Sequence, residues 1–202
     1  MGDGMRIDDY LKSDVEEFPD QGYGPGYRCS AYLTDGTFLP CVMLRNSDTV
    51  VQLAMRRFKE EKKGVGVFGR NDDAYERIVK TFVATGNRIN SYDIAKVGPS
   101  RFAAPLELLR QVEGETTMGW TGFVLEMKDG RPFAFGTRFG WEFFDVPDGY
   151  AFSDVRKVHN HSYLTGEGKI LPLRRGMGEW PEGYGLSTVL RERPHFVCYY
   201  DV

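Results

Sequence analysis

The chain has 202 residues, with 26 basic and 29 acidic side chains and a formal net charge of −3. With 41% hydrophobic and 14% aromatic residues it is not a disordered chain. The near balance of charge excludes the basic footprint of a dedicated nucleic-acid binder, and no apolar run reaches the roughly 20 residues of a membrane span.

Residues 1–27 mix acids, glycine and proline and end in FPDQGYGPGY, which reads as a loosely held N-terminal arm. The opening residues carry no apolar signal-peptide core, so the expected setting is cytoplasmic. Cysteine usage agrees. Cys29, Cys41 and Cys198 are odd in number and form no C-x-x-C pair, as expected of small core residues in a reducing compartment.

The first ordered feature is a hairpin. CSAYLT and TFLPCVML flank Asp35-Gly36, and a two-residue turn there would set Thr34 opposite Thr37 and Tyr32 opposite Leu39. Pro40 has no amide hydrogen, so its strand lies at an edge or bulges there. A helix is predicted over about 48–63, capped by Ser47 or Asp48, with Val50, Val51, Ala54, Met55 and Phe58 on its apolar stripe. A second is predicted over 72–85 and a shorter one over 103–112. Between the first two, Gly64-x-Gly66-x-x-Gly69 spells a dinucleotide fingerprint, but a helix precedes it where a strand is required, so it reads as a linker.

From Gly119 the pattern changes to strands. WTGFVLEMK and RPFAFGTRF flank Asp129-Gly130, with Leu125 set opposite Ala134 by the same turn. Further strand-like runs follow to the last residues, and no fixed long period is visible. One short echo exists, between YLTDGTFLP at 32–40 and YLTGEGKILP at 163–172. Strands and helices segregated along the chain predict a single α+β domain over 28–202. Its curved, mainly antiparallel sheet would come from about 28–45 and 119–202, packed against the helices of 48–63, 72–85 and 103–112.

Chemistry is sparse. There is no G-x-S-x-G elbow, no P-loop and no H-E-x-x-H. On an extended strand His159 and His161 would project to one face, where His195 from another strand could complete a site for one divalent metal. The set is similar to that of small β-barrel dioxygenases of the cupin type, although Ser153 stands where that pattern has glycine and Glu167 comes too late. A metal-dependent hydrolase or oxygenase is therefore the alternative function. The leading expectation is a non-catalytic protein, without a cofactor, that binds another protein or itself as a homo-oligomer. Its contact residues would be Tyr23, Tyr27, Trp180 and Tyr184, in the glycine-rich segments DQGYGPGY and GEWPEGYG. Stiff aromatics on loops are the residues that dominate binding hot spots.

Overall fold

A computed structural model describes residues 7–20, 23–62, 86–173 and 188–201. The chain is α+β with mixed sheets, but it divides into two compact units where one domain was expected: residues 1–100 with 195–202, and residues 101–194. Among the described residues, the strands expected to form one sheet belong to three: one in the first unit, and a four-stranded and a two-stranded sheet in the second. The expected helix at 72–85 and the linker at 64–69 lie outside the described residues.

The first unit begins with α1 (Ile7–Asp14) and the short β1 (Glu17–Phe18), where a loose arm was expected. The reason is apolar spacing within the arm. Leu11 is fully buried, and Ile7, Tyr10 and Val15 pack around the core it joins. Next come β2 (Gly26–Leu33) and β3 (Phe38–Asn46), then α2 (Ser47–Lys62), β4 (Arg88–Asn90) and β5 (Ile94–Pro99). A last strand, Phe196–Tyr200, lies between β3 and β4 and runs parallel to both, so this sheet is mixed. Alternate residues Cys29 and Ala31 of β2 face the core with Leu39, Val42 and Leu44 of β3. Leu39 and Val42 can share that face because the ladder shifts register between them, at Pro40 and Cys41, which is the bulge that Pro40 demanded. On the opposite face Arg28 and Arg45 are almost wholly buried and need counter-charges. Glu16 lies 3.4 Å from Arg28 and Asp20 lies 2.7 Å from Arg45, so the two guanidinium groups fasten residues 16–20 to the sheet.

The second unit holds α3 (Leu106–Leu109), β6 (Thr121–Met127), β7 (Pro132–Thr137) and β8 (Val155–Asn160). It continues with the hairpin β9 (Ser162–Leu164) and β10 (Ile170–Pro172), and with β11 (Leu190–Arg191) parallel to β7. The helix predicted at 103–112 is a four-residue turn of helix, because Pro105 forbids an earlier start. Phe123, Leu125 and Met127 face a core with Phe135, Phe144 and Phe152, and Val124 faces the other way with Trp120, Ala134 and Val189.

Both predicted hairpin registers are off by one residue. The observed pairs are Tyr32 with Phe38 and Leu125 with Phe133. In each case the loop has three residues and ends in a left-handed glycine, Gly36 at φ +88° and Gly130 at φ +87°. Leu33 N–H bonds to Thr37 O (2.8 Å) and Met127 N–H to Arg131 O (2.9 Å), closing the ladder one step earlier than a two-residue turn would. The Asp side chain takes part: Asp35 and Asp129 each accept the N–H two residues on, at 2.9 Å. Thr165 to Lys169 repeats the geometry around Gly168, which explains the echo between the two YLT segments.

A larger repeat emerges from the pairings. Cys29, Ala31, Tyr32 and Leu33 of β2 pair with Pro99, Val97, Lys96 and Ile94 of β5. In the same order Phe123, Leu125, Glu126 and Met127 of β6 pair with Asn160, Val158, Lys157 and Val155 of β8. The bulge falls at the same step in both, each returning strand is preceded by a 3₁₀ turn, and Thr34 and Lys128 each donate to the aspartate carbonyl of that turn at 2.8 Å. Each hairpin also takes a parallel strand on its other side. Both units are thus built on one four-strand plan.

Close packing in the second unit is tested at Gly136. A Cβ there would lie 2.1 Å from Trp120 Cζ2, whereas one on Gly114 meets nothing within 4 Å. Gly136→Ala is expected to lose about 3 kcal/mol in chemical denaturation by overpacking. Gly114→Ala should be neutral, or stabilising by up to about 1 kcal/mol.

Candidate interaction site

The three histidines are divided between the units, His159 and His161 in the second and His195 in the first. His195 precedes the last strand of the first unit, where its carbonyl accepts Asn87 Nδ2 at 2.8 Å. His159 lies on β8, and its Nε2 is 3.0 Å from Glu126 Oε2, with Arg156 paired to the same carboxylate. β8 ends at Asn160, and His161 takes φ +46°, so the shared face expected for His159 and His161 is lost where the strand stops. His161 Nε2 bonds Glu113 Oε2 at 3.1 Å, and Thr116 Oγ1 lies 3.0 Å from its Nδ1. Among the described residues no three His, Cys, Asp or Glu side chains are placed to hold a metal ion.

Thr116, His161 and Glu113 have the composition of a nucleophile, base and orienting acid, but their hydrogen-bond roles are structural. The carboxylate only accepts, so Nε2 donates to Glu113, while Nδ1 meets the Thr116 hydroxyl. That hydroxyl also accepts Gly122 N–H at 3.1 Å and is 1% exposed, beyond reach of a substrate. Asn160 completes the fastening by donating to Gln111 O at 2.8 Å and accepting Glu113 N–H at 3.0 Å. The His-Asn-His run therefore holds residues 111–116 in place. Other carboxylates of the second unit are paired one by one: Asp145 with Arg193, Asp148 with Arg101, and Asp154 accepts Ala151 N–H.

The three cysteines are free and buried, and burial pushes the Cys29 thiol up to about 12 and that of Cys198 to about 11. A thiol so far from ionisation is no nucleophile at neutral pH.

Of the four predicted aromatics the structure describes two. Trp180 and Tyr184 lie outside the described residues. Tyr27 lies within β2 and packs partly buried against the core, because the strand starts before the glycine-rich segment ends. Tyr23 is on the loop and 44% exposed, held by its N–H to Asp20 Oδ1 (3.0 Å), with the Arg45 guanidinium 5.5 Å from its ring.

The most exposed apolar side chains of the second unit were not anticipated. Met118 is 94% exposed and Phe139 is 78% exposed. Met118 stands on a tight turn closed by Trp120 N–H to Thr117 O at 2.9 Å. Among the described residues only His161 has positive φ without being glycine, and Gly119 takes φ +71°, which gives the turn its type II form and aims Met118 outward. Trp120 anchors the turn, its ring resting on the paired Gly122 and Gly136 of β6 and β7 with the Arg191 guanidinium 4.7 Å from it. Phe139 stands on the next loop, which Thr137 Oγ1 fastens by donating to Gly140 O at 2.7 Å. The two turns adjoin, since Phe139 Cζ comes within 3.8 Å of where a Cβ on Gly119 would be. The sequence signal was an aromatic beside glycine, Phe139-Gly140, the rule that singled out Tyr23-Gly24.

Comparison with protein-family models, with curated proteins and with solved structures gives no match. No helix among the described residues is long and apolar enough to cross a membrane.

Two outcomes test the fastening described above. Asn160→Ala should cost about 1–3 kcal/mol by leaving polar backbone groups unpaired, and should speed hydrogen exchange at the Glu113 amide. The hydrogen bond from His159, and then the charge of Arg156, hold the Glu126 carboxyl below the usual glutamate range. Its contribution to stability is present above the ordinary value of about 4.3 and is lost as pH falls through the depressed one. In a carboxyl-carbon NMR titration, His159→Ala should move the Glu126 midpoint upward.

Proposed function

We propose that this protein works without catalysis, by binding another protein or a second copy of itself, in a reducing compartment such as the cytoplasm. The observation that carries the reading is the corner of Met118 and Phe139. Two large apolar side chains stand almost fully in solvent on turns that a buried tryptophan and a buried threonine hold rigid. Covering such side chains is worth about 1.5–3 kcal/mol each, and a rigid turn loses little entropy when it docks. The half-exposed Tyr23 of the first unit supplies a similar, smaller contact. A net charge close to balance favours a protein partner over nucleic acid. The buried, unreactive thiols of Cys29 and Cys198 suit a reducing setting.

Met118→Ser with Phe139→Ser is the informative variant, because side chains this exposed add little to the stability of the chain. Its unfolding midpoint should match the wild type. Its affinity for a partner identified with wild-type bait, or its self-association in sedimentation, should fall at least tenfold. A double variant that keeps every partner and the same oligomeric state overturns the reading.

A further inference from the structure

The repeat within the chain allows one unit to report on the other. Tyr27 pairs with Leu44 as Thr121 pairs with Thr137. Counting from these pairs, Gly24 in the first unit stands where Met118 stands in the second, three residues before the pair. Asn46 stands where Phe139 stands, two residues after it. In the first unit this corner is covered. Asn46 is the cap of α2, accepting Thr49 N–H at 3.0 Å, and a Cβ on Gly24 would lie 3.7 Å from Leu53 and 3.9 Å from Thr49. In the second unit the chain passes from Phe139 to Gly140 with no helix there, and the corner is bare. The corner is common to both units, and among the described residues only the first unit places a helix on it.

The first unit also carries exposed apolar side chains on α2. Val51 and Met55 were expected on the buried stripe of α2, yet they are 59% and 51% exposed. They lie one turn apart on the side of the helix away from Thr49 and Leu53. They line a groove of about 500 Å³ together with Gln52, Arg56, Lys59 and Glu60, a size typical of small-ligand pockets. We propose that Met118 and Phe139 of one copy insert into this groove on α2 of a second copy. This assignment rests on the reading of the Met118–Phe139 corner as an interaction site and names its occupant. Charge supports the match. Arg138 beside Phe139 suits Glu60 of the groove, and the exposed Glu115 near Met118 suits Arg56 and Lys59. The two surfaces differ and lie on one chain, so the contact joins unlike faces of two copies.

Sedimentation velocity over a concentration series tests this with three full-length proteins: wild type, a knob variant (Met118→Ser, Phe139→Ser) and a groove variant (Val51→Gln, Met55→Gln). Circular dichroism should show the same helix content in all three. Wild type should associate, as a dimer or larger, as concentration rises, and each variant alone should lose association at least tenfold. An equimolar mixture of the variants should stop at a heterodimer, because only one intact knob and one intact groove remain. Wild type that stays monomeric up to about millimolar concentration (the affinity of the weakest specific contacts), or a mixture that stays monomeric, overturns the proposal. If the groove variant assembles as wild type does while the knob variant does not, this occupant is wrong and the corner remains an interaction site. If the knob variant assembles as wild type does, both readings fall.

Discussion

The placement of side chains in this protein depends on one local constraint, the left-handed glycine that closes each three-residue hairpin loop. A strand alternates its side chains with a period of two, so a loop one residue shorter would shift one strand against its partner and exchange the two faces. With Gly36 and Gly130 at positive φ, Ala31 and Leu125 reach their cores while Tyr32 and Glu126 face the other way. The aspartate before each glycine accepts the amide two residues on and favours this loop over the shorter one.

On that shared scaffold the two units spend their variable positions differently. Tyr32 and Glu126 are equivalent in the pairing with the returning strand. The first stacks on Phe38 with ring centroids 4.8 Å apart, and the second gathers His159 and Arg156. Lys96 and Lys157 are equivalent as well, each on a strand with no partner on its outer side among the described residues. A lysine in the middle of such an edge discourages further strand pairing there.

Much of the local structure was legible in the sequence because it follows from local chemistry. The Asp-Gly turns, the helix at Ser47–Lys62, the faces of Phe123 and Val124 and the bulge at Pro40 all follow from spacing and from single residues. What escaped depends on distant segments. Division of the strands among separate sheets is completed, in the two larger ones, by the late strands at Leu190–Arg191 and Phe196–Tyr200, which pair with β7 and β3 across long stretches of chain. The repeat was hidden because the units share pairings and only a few identities, such as Asp93 with Asp154 and Lys96 with Lys157. At the candidate site, Tyr23 was legible as a loop aromatic. Met118 was not, because a methionine next to glycine carries no aromatic signal and its exposure is set by the Trp120 anchor.

The first unit's sheet has a strand-wide gap between β3 and β4 until Phe196–Tyr200 arrives, and the whole second unit lies between those segments in the chain. During synthesis the second unit has all its strands before the first can close. At about 5–20 residues per second, β3 waits on the order of ten seconds with its outer edge unpaired while residues 101–194 are made. Closure of the first unit's sheet therefore depends on a strand made after the whole of the inserted unit.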